Sequence, residues 1–273
     1  MKKIGFILSI SVFILILTGC NGTVTKDLRH AGYNLSQTKL TCSDLIPKNE
    51  KEEAPKQISY MNGDMAITTD GEIYEMTFDK AYSNDENCRK ASTDIIVTAT
   101  MDNKILKGDD GELYYAVGSN ETEAYRQVTS EDNSYELYKM LLTSDEVVKV
   151  ISDGENTYYI LLKDGNVYKF IIQKPDRDQP YSVMSKVIVY SEEKYGKIID
   201  FNIDMNNNEK TYIKTKNKIY RMQASNEKKC SKYADVECNY EMKPDKVVNK
   251  YYKDKIVYYG PDIIITNYGK IFN

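Results

Sequence analysis

One figure recurs five times along this chain and limits what the chain can fold into. It is a short apolar run, a tight turn, then an aliphatic residue followed by an aromatic one. The clearest copy is residues 158–170, where an apolar run leads into Asp164 and Gly165 and leaves through Val167, Tyr168 and Phe170. Copies at 67–76 and 105–114 keep the pair as Asp70 with Gly71 and Asp110 with Gly111, and copies at 212–222 and 264–272 have lost it. Asp-Gly between alternating runs predicts a β-hairpin with a primed two-residue turn, in which glycine takes the positive φ.

Spacing turns the hairpins into an architecture. The aromatics Tyr74, Tyr114, Tyr168, Tyr220 and Phe272 lie 40, 54, 52 and 52 residues apart, and self-similarity at such periods marks a propeller or another β-array. Each hairpin follows a further apolar run, at 57–61, 95–100, 147–151, 198–203 and 247–251, and a fourth strand is best seen at 183–190. Four strands per repeat is a propeller blade. The expected class is therefore all-β, with about five four-stranded repeats forming a β-propeller over 33–273, and a β-sandwich as the alternative. The last repeat accounts for three strands only. Residues 33–45 are the spare strand that would close it, hiding edges that otherwise invite aggregation. Residues two apart on a strand share a face, so Tyr168 and Phe170 are expected in the core on one side and Val167 on the other.

The Gly-x-aliphatic-aromatic pattern at Gly71, Ile73 and Tyr74, at Gly111, Leu113 and Tyr114, at Gly165, Val167 and Tyr168, and at Gly269, Ile271 and Phe272 resembles repeats of the regulator-of-chromosome-condensation family. That resemblance implies a propeller with blades of about fifty residues. The chain departs from the family by lacking the Trp-Gly that usually follows and by having five repeats, so none of that family's partners carry over.

The first residues read as a targeting segment: Lys2 and Lys3, then an apolar run over 4–17, ending in Leu17, Thr18, Gly19 and Cys20. The run is short for a membrane span, which needs roughly 20 apolar residues. It resembles the bacterial lipoprotein signal, whose lipobox is Leu, a small residue, Gly or Ala, then Cys. The resemblance implies a signal peptide of 1–19, cleavage before Cys20 and lipidation of Cys20, with residues 20–32 as a flexible tether. The partner at that end is a lipid bilayer, and the domain is expected on the extracytoplasmic face of the bacterial cell membrane.

Without the two leader lysines the chain carries 35 basic against 41 acidic side chains, a balance near −6. Nucleic acid needs clustered Lys and Arg, and no glycine-rich phosphate loop precedes a helix, so neither nucleic acid nor nucleotide is an expected partner. Cys42, Cys88, Cys230 and Cys238 remain after Cys20, and an even count in an exported chain permits two disulfides among three connectivities. The short loop between Cys230 and Cys238 favours that pair. Cys42 then pairs with Cys88, which a closing strand at 33–45 would place on the neighbouring blade.

His30 is the only histidine and lies in the tether, which argues against a Ser-His-Asp or Cys-His site and against a histidine-ligated metal. No cofactor is expected. Asp70, Asp110 and Asp164 sit in turns that favour Asp for backbone reasons. Asp64, Asp200 and Asp262 are less explained, and a glycan-acting hydrolase with two channel carboxylates is the alternative function. Residues 204–209 imitate the start of a calcium loop, but Glu209 replaces its glycine, so a solvated turn is expected. The paired tyrosines 114–115, 158–159, 251–252 and 258–259 suit cores and interfaces alike, and 258–261 reads as a loop and the best binding patch. The function expected is non-catalytic binding at the cell envelope, toward a protein or polysaccharide.

Overall fold

A computed structural model describes residues 22–46, 56–62, 65–76, 88–101, 105–116, 125–132, 134–174, 180–204, 207, 210–224, 239–252 and 255–273. It is an all-β chain of five antiparallel four-stranded meanders. The first holds β2 (Ile58–Asn62), β3 (Met65–Thr68), β4 (Ile73–Met76) and β5 (Cys88–Lys90). The second holds β6 (Val97–Met101), β7 (Ile105–Gly108), β8 (Leu113–Ala116) and β9 (Tyr125–Gln127). In the third are β10 (Val147–Ser152), β11 (Thr157–Leu162), β12 (Val167–Gln173) and β13 (Ser182–Tyr190). Parallel pairing of β10 with β6, Lys149 opposite Thr100, joins the second and third meanders into one eight-stranded sheet. The fourth comprises β14 (Ile198–Asn202), β15 (Tyr212–Thr215), β16 (Ile219–Ala224) and β17 (Tyr240–Pro244). The fifth has β18 (Ile256–Tyr259), β19 (Ile264–Thr266) and β20 (Lys270–Phe272), and its fourth strand comes from the other end of the chain. That strand is β1 (Leu35–Lys39), antiparallel to β20 with Leu35 opposite Phe272. Each sheet remains open.

The apolar clusters tell how the meanders are arranged. Ile67 and Ile73 pack with Val97 and Leu106, linking meander one to two. Met101 and Leu113 pack with Val150 and Ile160, linking two to three, and Leu161 and Val167 pack with Phe201 and Ile213, linking three to four. Tyr212 and Ile219 pack with Ile264 and Phe272, linking four to five. Finally Ile265 and Ile271 pack with Ile58 and Tyr74, linking five back to one. Alternation along the strands makes this possible, because Ile160 and its neighbour Leu161 point to opposite faces and serve different clusters.

The repeat's invariant is the aliphatic residue and not the aromatic. Ile73, Leu113, Val167, Ile219 and Ile271 are all buried, and each faces the cluster shared with the following meander. Such burial stabilises by about 1.5–3 kcal/mol per side chain. The aromatic beside it is buried in Tyr74 and Phe272 but only half-buried in Tyr114, Tyr168 and Tyr220, as is Phe170. The expectation that both Tyr168 and Phe170 lie in the core holds in part: Phe170 is half-buried and packs against the cluster between meanders two and three, whereas Tyr168 faces the outer strand β13, where Lys186 Nζ sits 4.3 Å from its ring centre.

The turn type is corrected too. Gly71 N donates to Thr68 O at 3.0 Å and Gly165 N to Leu162 O at 2.9 Å, and in both hairpins the glycine has positive φ, +86° and +84°, while the aspartate before it does not. A primed turn needs positive φ at its first central residue. These are three-residue connections ending in a left-handed glycine bulge. The glycine also lets the next meander approach: a Cβ on Gly71 would lie 2.5 Å from Val97 O, and Gly71 O accepts from Val97 N at 2.8 Å. Gly165 O accepts likewise from Ile198 N at 3.2 Å. Asp110 and Asp164 hold the turn by accepting from the backbone N of Glu112 and Asn166 and from the hydroxyls of Tyr114 and Tyr168.

Helices account for the other differences. Residues 22–30 form helix α1, not a structureless tether, and its Val24 and Leu28, one turn apart, are buried against the cluster between meanders four and five. Helix α2 (Tyr135–Leu142) precedes meander three and buries Leu137, Leu141 and Leu142; helix α3 (Glu192–Tyr195) precedes meander four. Residues 247–251 are not a strand. Asp245 accepts from Val247 N and Val248 N and starts helix α4 (Lys246–Asn249), so an N-cap overrides the strand preference of two valines. The first strand of the last meander is β18 instead, and Tyr258 and Tyr259, expected in a loop, are buried strand residues. Cys42 and Cys88 form a disulfide, Cα atoms 5.4 Å apart, tying the segment just after β1 to the first residue of β5. Cys20, Cys230 and Cys238 lie outside the described residues, and no described helix is long and apolar enough to cross a membrane.

Candidate functional site

The first strands of the five meanders, β2, β6, β10, β14 and β18, surround one crevice. Tyr60, Thr100, Val150, Asn202 and Tyr258, one residue from each, line a space of about 610 Å³. A second space of about 300 Å³ lies toward the beginnings of four of the same strands, lined by Ser59, Thr98, Val148 and Asp200. Tyr60, Thr100 and Lys149 border both, so they form the partition between them.

Lys149 is the centre of this partition. Its Nζ donates to Asp200 Oδ1 and to Phe201 O, each at 2.8 Å, which bridges β10 to β14. It also lies 5.2 Å from the Tyr60 ring centre. Asp200 accepts at Oδ2 from the Tyr212 hydroxyl at 2.9 Å, and at Oδ1 from the backbone N of Phe201. Asp200 and Tyr212 are buried, so the Asp200 charge is held by the Lys149 ammonium, the Tyr212 hydroxyl and a backbone N–H in place of water. Burial first, and then the Asp200 charge, pushes the Tyr212 phenol well above its usual range. Lys214, on β15, is also buried; burial pushes its amine below the ordinary lysine value, Asp200 pulling it up and Lys149 pushing it down.

The crevice continues around the end of the last meander into a cleft of about 480 Å³ lined by Tyr33, Lys210, Arg221 and Tyr259. Here Arg221 Nη1 donates to the Tyr33 hydroxyl at 2.7 Å and faces Asp245 Oδ2 at 3.5 Å. Burial, with the Asp245 charge, pushes the Tyr33 phenol up to about 12. Lys210 pairs with Asp262 at 2.6 Å.

Of the carboxylates singled out from sequence, Asp200 belongs to the partition and Asp262 to the rim, both ion-paired, while Asp64 lies outside the described residues. Asp70 pairs with Lys56 at a turn. His30 is exposed on α1. Most of residues 205–209 lie outside the described residues; Asp204 accepts from Asn207 N at 2.9 Å, as in a turn. The patch at 258–261 does touch the crevice, through Tyr258 and Pro261, but its tyrosines are walls and not exposed recognition groups. Lys149, Tyr60, Asn202 and Tyr212 were not anticipated. A signal existed: Lys149 and Asp200 are lone charges of opposite sign within the apolar first strands of consecutive repeats. Among the described residues no group of three or more His, Cys, Asp or Glu converges as a metal site would require. No protein-family model matches the chain, and no curated protein sequence is similar to it.

Proposed function

We propose that the five meanders form a five-bladed β-propeller, anchored by a lipidated Cys20 on the extracytoplasmic face of a bacterial membrane, and that it acts there as a binding module through its central crevice. The observation that carries the propeller is the cycle of apolar clusters, in which each meander packs on the next and the fifth on the first. A β-sandwich would share one core between two layers, which five separate clusters do not resemble. The binding reading draws support from the crevice itself, bordered by all five first strands and within the size range of ligand pockets, about 300–1,000 Å³. A glycoside hydrolase would need one acid and one base or nucleophile facing each other. Asp200 and Asp262 are instead neutralised by Lys149 and Lys210, which favours binding over hydrolysis.

The anchor and the module are tested together by fractionating cells that express the full chain. Cys20→Ser should move the protein from the membrane to the soluble fraction, since stable anchoring takes two or more acyl chains at about 0.8 kcal/mol per buried CH₂. Unchanged partitioning would remove the anchor from this reading.

A further inference from the structure

The large crevice is lined where the first strands end, at Asn62, Ser152 and Asn202. The opposite face, where those strands begin, carries the hairpin turns. There Thr69 N donates to Gln57 O, Lys163 N to Glu146 O and Asn267 N to Lys255 O, each acceptor just ahead of a first strand. Helix α1 lies on this second face. Its Asp27 accepts from Lys250 Nζ at 2.7 Å and from the Tyr251 hydroxyl at 2.6 Å, just beyond α4. Its Thr25 accepts from Lys270 Nζ at 3.3 Å, at the start of β20. The Tyr252 hydroxyl donates to Thr215 O at 3.0 Å, which sets the turn at 216–218 beside α4.

Positive charge is concentrated there. Lys26, Arg29, Lys216, Lys218, Lys246 and Lys250 are exposed. The same described segments carry two carboxylates: Asp27, which Lys250 neutralises, and Asp245, which is buried. The other five cations are in no ion pair among the described residues. A surface ordinarily mixes both signs, and this chain has 41 acidic against 37 basic side chains, so a basic end is a local feature. Its position names the partner. Cys20 stands two residues before Gly22, where α1 begins, and two residues span at most about 7 Å. A lipid on Cys20 holds the start of α1 within about a Debye length of the headgroups, roughly 8 Å at physiological salt. Anionic headgroups attract Lys and Arg at that range, and a polybasic patch reinforces an acyl anchor.

We infer that the basic end formed by α1, α4 and the turn at 216–218 docks on anionic lipid headgroups, which points the large crevice away from the bilayer. This rests on Cys20 being the anchor. The full chain, purified in detergent, is reconstituted into vesicles of phosphatidylcholine alone or with about a third phosphatidylglycerol. A water-soluble amine reagent is then applied, and each lysine's labelling is read by mass spectrometry. The reference is Lys174, exposed on the far face just past the end of β12. Relative to it, labelling of Lys26, Lys216 and Lys246 should fall by about fivefold in the anionic vesicles. It should recover in roughly 1 M salt, where the Debye length is about 3 Å. Lys26→Glu with Lys246→Glu changes exposed, unpaired positions and should abolish the protection of Lys216 while leaving the circular-dichroism melt unchanged. Protection of Lys216 that persists in the folded variant overturns the docking, as does equal parent labelling in the two kinds of vesicle. Protection by soluble polyphosphate and not by vesicles moves the partner off the membrane and overturns it too. The mass of the N-terminal peptide reports acylation separately: an unmodified Cys20 overturns the anchor, whereas equal labelling with an acylated Cys20 overturns the docking alone.

Discussion

At the scale of single residues, the Lys149–Asp200 pair has the largest structural consequence. Breaking one side of a buried pair leaves an uncompensated charge, which costs about 3–5 kcal/mol, whereas replacing both with apolar residues is often neutral. Asp200→Ala should therefore lower the urea midpoint strongly, and Lys149→Met with Asp200→Leu should recover most of it. A double variant as unstable as the single one would show that the contacts to Phe201 O and Tyr212 matter more than charge balance. Lys214 gives a pH signature. Its folded-state amine is lowered by burial, so between that lowered value and the unfolded one, about 10.4, the unfolded chain holds the extra proton. Stability then rises with pH across this window. Lys214→Met should be more stable than the parent at neutral pH, and the gap should narrow as pH rises toward the unfolded-state value of about 10.4. Urea midpoints at several pH values measure this, and a gap independent of pH would contradict it. The raised phenols are the same in parent and variant, so their own titration cancels from the gap.

At the scale of elements, β13 stands apart. It is one of the two edge strands of the eight-stranded sheet and nine residues long, and Val183, Met184, Val187 and Ile188 are exposed on it. A long apolar edge is a template for pairing with another chain, and a lysine on it is a common deterrent. Lys186 holds that position, its Nζ lying over the rings of Tyr168 and Phe170. Lys186→Ile should increase self-association in light scattering and gel filtration without lowering the melting temperature. Unchanged mass would show that the strand is guarded by other means. Elements also show where sequence was legible. Hairpins were, since their signal is local: an αL glycine and flanking alternation. Residues 247–251 were misread because β-propensity of Val247 and Val248 competes with the cap from Asp245, two residues away. Helix α1 was missed because only Val24 and Leu28 mark its buried face.

At the scale of the whole molecule, β1 on β20 joins the first and last described strands, and the disulfide ties the segment just after β1 to β5 of the first meander. The link from Cys42 to Cys88 spans 46 residues, and closing a loop of that length is worth roughly 2–4 kcal/mol through the unfolded state. Reduction, or Cys42→Ser with Cys88→Ser, should lower the unfolding free energy by about that amount in denaturant titrations. A negligible change would mean that the apolar cluster around Cys42 and Cys88 holds β1 against the first meander unaided.

The sequence alone determined the number of repeats, the four-stranded unit and the origin of the last meander's fourth strand, because each follows from periodicity, turn chemistry and a simple count of strands, whereas Cys42–Cys88 was one of three connectivities that the structure decided. Tertiary structure decided which face of each hairpin is core. The aliphatic residue, from Ile73 to Ile271, always meets the next meander, whereas the aromatic is buried only in Tyr74 and Phe272. It also decided the crevice. Tyr60, Thr100, Lys149, Asn202 and Tyr258 are far apart in sequence, and each is an ordinary strand residue until the first strands of five repeats are set around a common space. Periodicity records what neighbours along the chain must do. It carries no record of which side chains converge when distant repeats meet.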